Sequence, residues 1–165
     1  MPDPRPDEPS APPPDTPATR EMLLSMSGLD FMRAMREGRL PGPPIATLLD
    51  YRLHLVEPGR VVFRGSPGPA HANPMGGVHG GWYGTLLDSA MGCAVMTVVA
   101  KGSWYTTLEY KVNITRPIPA GTEVEAEGTL QHAGRTTGIA AGTIRGAADG
   151  RLYATGSTTC LILAG

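Results

Sequence analysis

The sequence predicts a single α+β domain, with an antiparallel sheet of about six strands and one long helix packed on a face. Three observations predict it. Residues 79–100 are the one long and almost wholly apolar helical run. From Lys101 onward the pattern changes to a period of two, through four strand-like runs. The links between those runs (RPIPAGT, HAGR and AADGR) are short, which favours antiparallel neighbours.

The elements follow in chain order. Eight of the 17 prolines fall in residues 1–20, a stretch almost free of apolar side chains. Such a segment cannot bury enough surface to offset the entropy of ordering, so it reads as a disordered tail, and residues 21–165 read as the folded domain. A short helix follows, with Leu29, Met32, Met35 and Arg36 at helical spacing and GRLPGPP as its stop. LLDYRLHLVEPGRVVFRGS reads as two strands around a tight EPGR turn. PGPAHANPMGG is a loop by composition, and the long helix comes next. In TTLEYKVNIT, Leu108, Tyr110, Val112 and Ile114 alternate with Thr107, Glu109, Lys111 and Asn113, so the first set is expected to face the core and Thr107 the polar side. EVEAEGTL, TTGIAAGTI and LYATGSTTCLIL complete the strands.

Composition excludes several function classes. A formal net charge of −1 with no basic cluster gives no field to attract nucleic acid or an anionic membrane. No run of about 18 apolar residues exists to span a bilayer. The N-terminus lacks the basic and apolar regions of a secretory leader. Cys93 and Cys160 lie among apolar neighbours without metal-ligand spacing, as expected of reduced thiols in a cytoplasmic protein. His71 and His79, eight apart with no clear third ligand, make a poor metal pair.

The long helix has costs that ask for a reason. NPMGGVHGGWYGTLLDSAMG, residues 73–92, carries Gly80, Gly81, Gly84 and Gly92 and a single carboxylate, Asp88. Each interior glycine costs roughly 1 kcal/mol against alanine, and a buried unpaired carboxylate costs more. On a helical wheel Gly81, Gly84, Thr85, Asp88 and Gly92 share one side, where a backbone, a ligand or a second subunit could come close. The glycine-rich turn delivers the chain to a helix N-terminus whose first N–H groups lack internal acceptors. N–H donors at the helix start and an acid further along are the ingredients of acyl transfer, with an oxyanion hole and a base or nucleophile. The turn matches neither a phosphate loop nor a dinucleotide fingerprint. Ser89, flanked by Leu87 and Met91, is not in a nucleophile elbow.

The same residues resemble a known family. NPMGGVHGGWYGTLLDSAMG followed by YTTLEYKVNITRPIPAG is similar to the hotdog-fold acyl-CoA thioesterases, and within them to the phenylacetic-acid-degradation type. The resemblance spans about Gly28 to Leu163. Its most specific part is H-G-G-x-x-x-x-L-x-D, matched by His79, Gly80, Gly81, Leu86 and Asp88, with Asn73 six residues before the histidine.

The resemblance implies a sheet wrapped around the long helix, hydrolysis of acyl-CoA, no metal and no redox cofactor, with coenzyme A as part of the substrate. It implies a homodimer with the active site at the interface, often paired further into tetramers. By position it implies that Asp88 is nucleophile or general base, and that the Gly80 N–H polarises the thioester carbonyl. Asn73 orients acid and water, and His79 positions the thioester region. Thr107 supplies a hydroxyl, expected from the other subunit. Gly81 and Trp82, with Tyr83, are candidates to meet the acyl group, and Arg116 and Arg135 to meet the coenzyme A phosphates. Two other functions remain open on the same fold: a hydratase or dehydratase, and a non-catalytic acyl-CoA binder.

Overall fold

A computed structural model describes residues 18–165, so most of the expected tail, residues 1–17, lies outside the described residues. The folded body starts earlier than the sequence suggests. Thr19 caps helix α1 (Arg20–Leu24) by accepting from the Met22 N–H, and the Arg20 guanidinium lies 5.9 Å from the centre of the Trp104 ring. The single expected N-terminal helix is three short ones. α1 is followed by α2 (Gly28–Arg36), which carries the predicted methionines, and α3 (Pro44–Leu48), which starts where proline already fixes a helical φ. Ser27 caps α2, accepting from the Asp30 N–H while its hydroxyl donates to the Asp30 carboxylate.

Strands β1 (Tyr51–Glu57) and β2 (Arg60–Gly65) form the predicted hairpin around Gly59, whose φ of 73° suits glycine. The long helix, α4, runs from Gly80 to Met96, a turn shorter at its C-terminal end than the apolar run. β3 (Ser103–Ile114), β4 (Val124–Ala133), β5 (Thr137–Gly146) and β6 (Leu152–Ala164) follow. All pairings are antiparallel, in the order β1-β2-β4-β5-β6-β3. One inference from short links is therefore wrong. β3 and β4 are not neighbours, because the link after β3 carries the chain to the far side of β5 and β6, and β3 becomes an edge strand.

The sheet wraps α4. Leu86, Leu87, Ala90, Met91, Ala94 and Val95 are fully buried against sheet residues such as Phe63, Ala126, Ala140 and Ile144. Contact is close at Gly128 of β4, where an added Cβ would sit 2.1 Å from the Ala90 carbonyl oxygen. The polar alternation of EVEAE is explained on the other face of the sheet, where Glu125 and Glu127 pair with Arg64 and Arg60 of β2 at 2.6 and 2.7 Å.

The expected facing of β3 holds for Tyr110, Val112 and Ile114 and is corrected at Thr107 and Leu108. Thr107 pairs with Cys160 and Glu109 with Thr159, so Leu108 is an extra residue in a β-bulge. One inserted residue reverses the side on which every following residue falls. Tyr105 and Thr107 before the bulge, and Tyr110 and Ile114 after it, all lie against α4. Leu108 is left 60% exposed.

Candidate active site

The glycines of α4 form a stripe at intervals of four: Gly80, Gly84, then Asp88, then Gly92. Residues four apart stack on one helix face. β3 runs along that face in the opposite direction. A Cβ at Gly92 would meet the Tyr105 hydroxyl at 2.6 Å, one at Gly84 the Tyr110 hydroxyl at 3.2 Å, and one at Gly80 the Ile114 side chain at 3.7 Å. Of the three occupants expected on this face, a backbone, a ligand or a second subunit, the stripe admits the first, the chain's own β3 with its large side chains. Asp88 is its one side chain, and opposite it β3 places the small Thr107.

Thr107 Oγ1 donates to Asp88 Oδ1 at 2.9 Å within one chain. The expectation that this hydroxyl arrives from a second subunit is corrected by that bond, which the Leu108 bulge makes possible. Burial raises the Asp88 pKa above the usual carboxylate range, and the Thr107 hydrogen bond opposes the rise.

Asp88 opens into a cavity of about 380 Å³ that the sequence did not reveal. Phe31, Met32 and Met35 of α2 form one wall, Cys93 and Met96 of α4 another, and the strap Pro41–Ile45 crosses it. The signal available was the methionine spacing of FMRAM beside LPGPP, which was legible as a helix and its stop but not as a wall facing Asp88. Ser89 and Tyr105 add the remaining polar atoms, and the Ser89 hydroxyl lies 2.9 Å from that of Tyr51. Burial pushes the Cys93 thiol up to about 12, so it stays protonated and acts as lining.

The other predicted residues collect at the start of α4. His79 is its N-cap, and its Nδ1 accepts from the Gly81 N–H at 2.9 Å. That bond occupies Gly81 and leaves the exposed N–H of Gly80 without an acceptor among the described residues. Asn73 Oδ1 accepts from Met75 and Gly77 N–H at 2.9 and 3.2 Å, shaping the loop before the helix. His71 Nδ1 accepts from the Gly68 N–H at 3.0 Å. Trp82 and Tyr83 are core residues away from the Asp88 cavity. The Trp82 indole donates to the Leu49 carbonyl, and the Tyr83 hydroxyl accepts from the Ile118 N–H.

Two groups therefore form, and one chain does not unite them. Eight residues of helix separate Gly80 from Asp88, a rise of about 12 Å. A single carbonyl needs both groups within about 3 Å. The two arginines part likewise. Arg116 follows β3 beside the N-terminal end of α4, whereas Arg135 lies in the β4–β5 turn, near Gly138, which packs on Val95 close to the C-terminal end. Among the described residues no cluster of three or more His, Cys, Asp or Glu could hold a metal ion, and no helix is long and apolar enough to cross a membrane.

Residues 75–153 match the thioesterase superfamily. Among solved structures, a thioesterase family protein from Silicibacter pomeroyi is 27% identical, with a TM-score of 0.73 over 81% of this chain and 99% of that one. A phenylacetic acid degradation-related protein from Ralstonia eutropha is 28% identical, with a TM-score of 0.72 over 79% and 98%. A hypothetical thioesterase protein from Streptococcus pneumoniae, solved with coenzyme A, is 24% identical and shares the fold, with a TM-score of 0.64 over 70% and 87%. No curated protein matches the chain.

Proposed function

We propose that the chain, whose residues 75–153 match the thioesterase superfamily, hydrolyses acyl-CoA, of aryl or medium-chain type, to the free acid and coenzyme A. The observation that carries the reading is the Thr107–Asp88 hydrogen bond, 2.9 Å long, at the mouth of a mostly apolar cavity. Thr107 holds Oδ1, which leaves Oδ2 free to bind a water. Asp88 takes a proton from that water as it attacks the thioester carbonyl carbon. The carbonyl oxygen becomes an oxyanion held by the Gly80 N–H at the positive end of α4. The C–S bond then breaks, and the proton passes from Asp88 to the departing thiolate. The coenzyme A of the Streptococcus structure and the phenylacetic acid link of the Ralstonia protein support this substrate class.

The separation of about 12 Å between Gly80 and Asp88 would give a homodimer a chemical purpose. A site that needs both takes Asp88 and Thr107 from one chain and Gly80, with Asn73 and His79, from its partner. Among the described residues β3 is an unpaired sheet edge whose Leu108, Tyr110 and Ile114 are 60, 46 and 49% exposed, and a second copy along that edge would cover them. Arg116 of β3's end is then the stronger candidate for the phosphates.

The test is a panel of aryl- and alkyl-CoA thioesters with a thiol reagent. Release of free coenzyme A supports the reading. Addition of water across an acyl double bond, or binding without turnover, rejects it. A single turnover in ¹⁸O-water tests the role of Asp88. Label in the product acid with none in Asp88 fits a general base, and label in the Asp88 carboxylate means a nucleophile.

A further inference from the structure

Beside the Asp88 cavity lies a second one of about 680 Å³, lined by Tyr51, Leu53 and Phe63 and also by the exposed Arg36, Thr47 and Arg52. The two cavities share four lining residues: Met35, Gly42, Pro43 and Pro44. We propose that Met35 is the stop that sets the length of the acyl group, and that the second cavity receives the distal end of a linear apolar acyl chain when Met35 moves aside. The inference rests on the acyl-CoA reading above.

Of the four shared residues, Met35 has the most side-chain freedom. A Cβ added at Gly42 would meet no atom of the described residues within 4 Å, so among them the strap there is a single backbone. The strap is held at both ends. The N–H groups of Arg39 and Leu40 both donate to the Ala34 carbonyl, and Pro43 caps α3 while Pro44 opens it. Its prolines have a fixed φ. Met35 differs on each count. It sits in the last turn of α2, is half-buried, and turns about three side-chain bonds around a polarisable sulfur. Its neighbours Met32 and Phe31 are buried in the α2 core and have no such freedom.

The test compares wild type with Met35→Ala, which removes the stop, and Met35→Phe, which replaces it with a bulkier and stiffer one. The readout is the ratio of kcat/KM for tetradecanoyl-CoA to that for hexanoyl-CoA. The ratio should rise at least tenfold in Met35→Ala, mostly through KM for the longer substrate, and fall in Met35→Phe. Displacement of bound cis-parinaric acid by free tetradecanoic and hexanoic acids should change in the same directions without any turnover. If wild type cleaves acyl-CoA but neither variant moves either ratio by more than twofold, the role of Met35 is overturned and the thioesterase reading stands. If wild type cleaves none, the functional reading falls, and the displacement ratio alone decides Met35: unchanged in both variants, it overturns the proposal.

Discussion

Asp88 is half-buried in a mostly apolar cavity, and that burial costs stability. Its folded pKa is raised above the unfolded value. The stability it contributes is therefore present below the unfolded pKa and is lost as pH rises through the folded pKa. Asp88→Asn should melt higher than wild type at neutral pH, with the gap closing as pH falls into the ordinary carboxylate range, while kcat drops on the order of 10³-fold. A variant that kept a tenth of the turnover would remove Asp88 from the mechanism. Thr107→Val keeps shape and deletes the bond that opposes the raised pKa. It should lower kcat roughly 10- to 100-fold, in line with a hydrogen bond to a charged group, and shift the acid limb of kcat/KM to higher pH. An acid limb that stays in place would mean that the hydroxyl does not act on Asp88.

At the scale of elements, the site depends on how closely α4 lies on its neighbours. Its glycine stripe accepts Tyr105 and Tyr110 from β3, and Gly128 of β4 accepts the α4 backbone itself. Gly128→Ala would place a Cβ 2.1 Å from a carbonyl oxygen that helix geometry holds in place. It should destabilise the fold by about 3 kcal/mol, at the upper end of overpacking costs, read as a fall in the denaturation midpoint. A loss below about 0.5 kcal/mol, the ordinary scatter of surface substitutions, would mean that helix and sheet can move apart cheaply. The stripe itself was legible in the sequence as a face, but its occupant was not. Strand alternation points Thr107 away from the helix, and only the Leu108 bulge turns it back.

At the scale of the molecule, the separation of Gly80 from Asp88 predicts sharing between subunits. Gly80→Pro removes the proposed oxyanion donor at the first helical position, where proline is tolerated. His79 before it is already extended, at φ −64° and ψ 138°. Turnover should fall roughly 10²- to 10³-fold. Mixing Gly80→Pro with Asp88→Asn and allowing exchange should restore roughly a quarter of wild-type activity, since half of random dimers carry one intact site of two. Mixing Asp88→Asn with Thr107→Val should restore none, because those residues act from one chain. Recovery in the second mixture and not in the first would reverse the assignment of groups to subunits.

By itself the sequence determined most of the elements and their kind, though not the short helices α1 and α3. Hydrophobic period, glycine turns and helix caps are local signals, and they marked the β1–β2 hairpin, the long helix and the four late strands. The motif from His79 to Asp88 is local too, which is why the acid and the helix-start donors were named without coordinates. Tertiary structure decided what local signals cannot carry. It set β3 beside β6 instead of β4, because pairing depends on where a link delivers the chain and not on how short it is. One bulged residue brought Thr107 to Asp88. Packing placed Trp82 and Tyr83 in the core, and α2 with its proline strap across the cavity that Asp88 faces, since a wall is made by residues distant in sequence that share only the space between them.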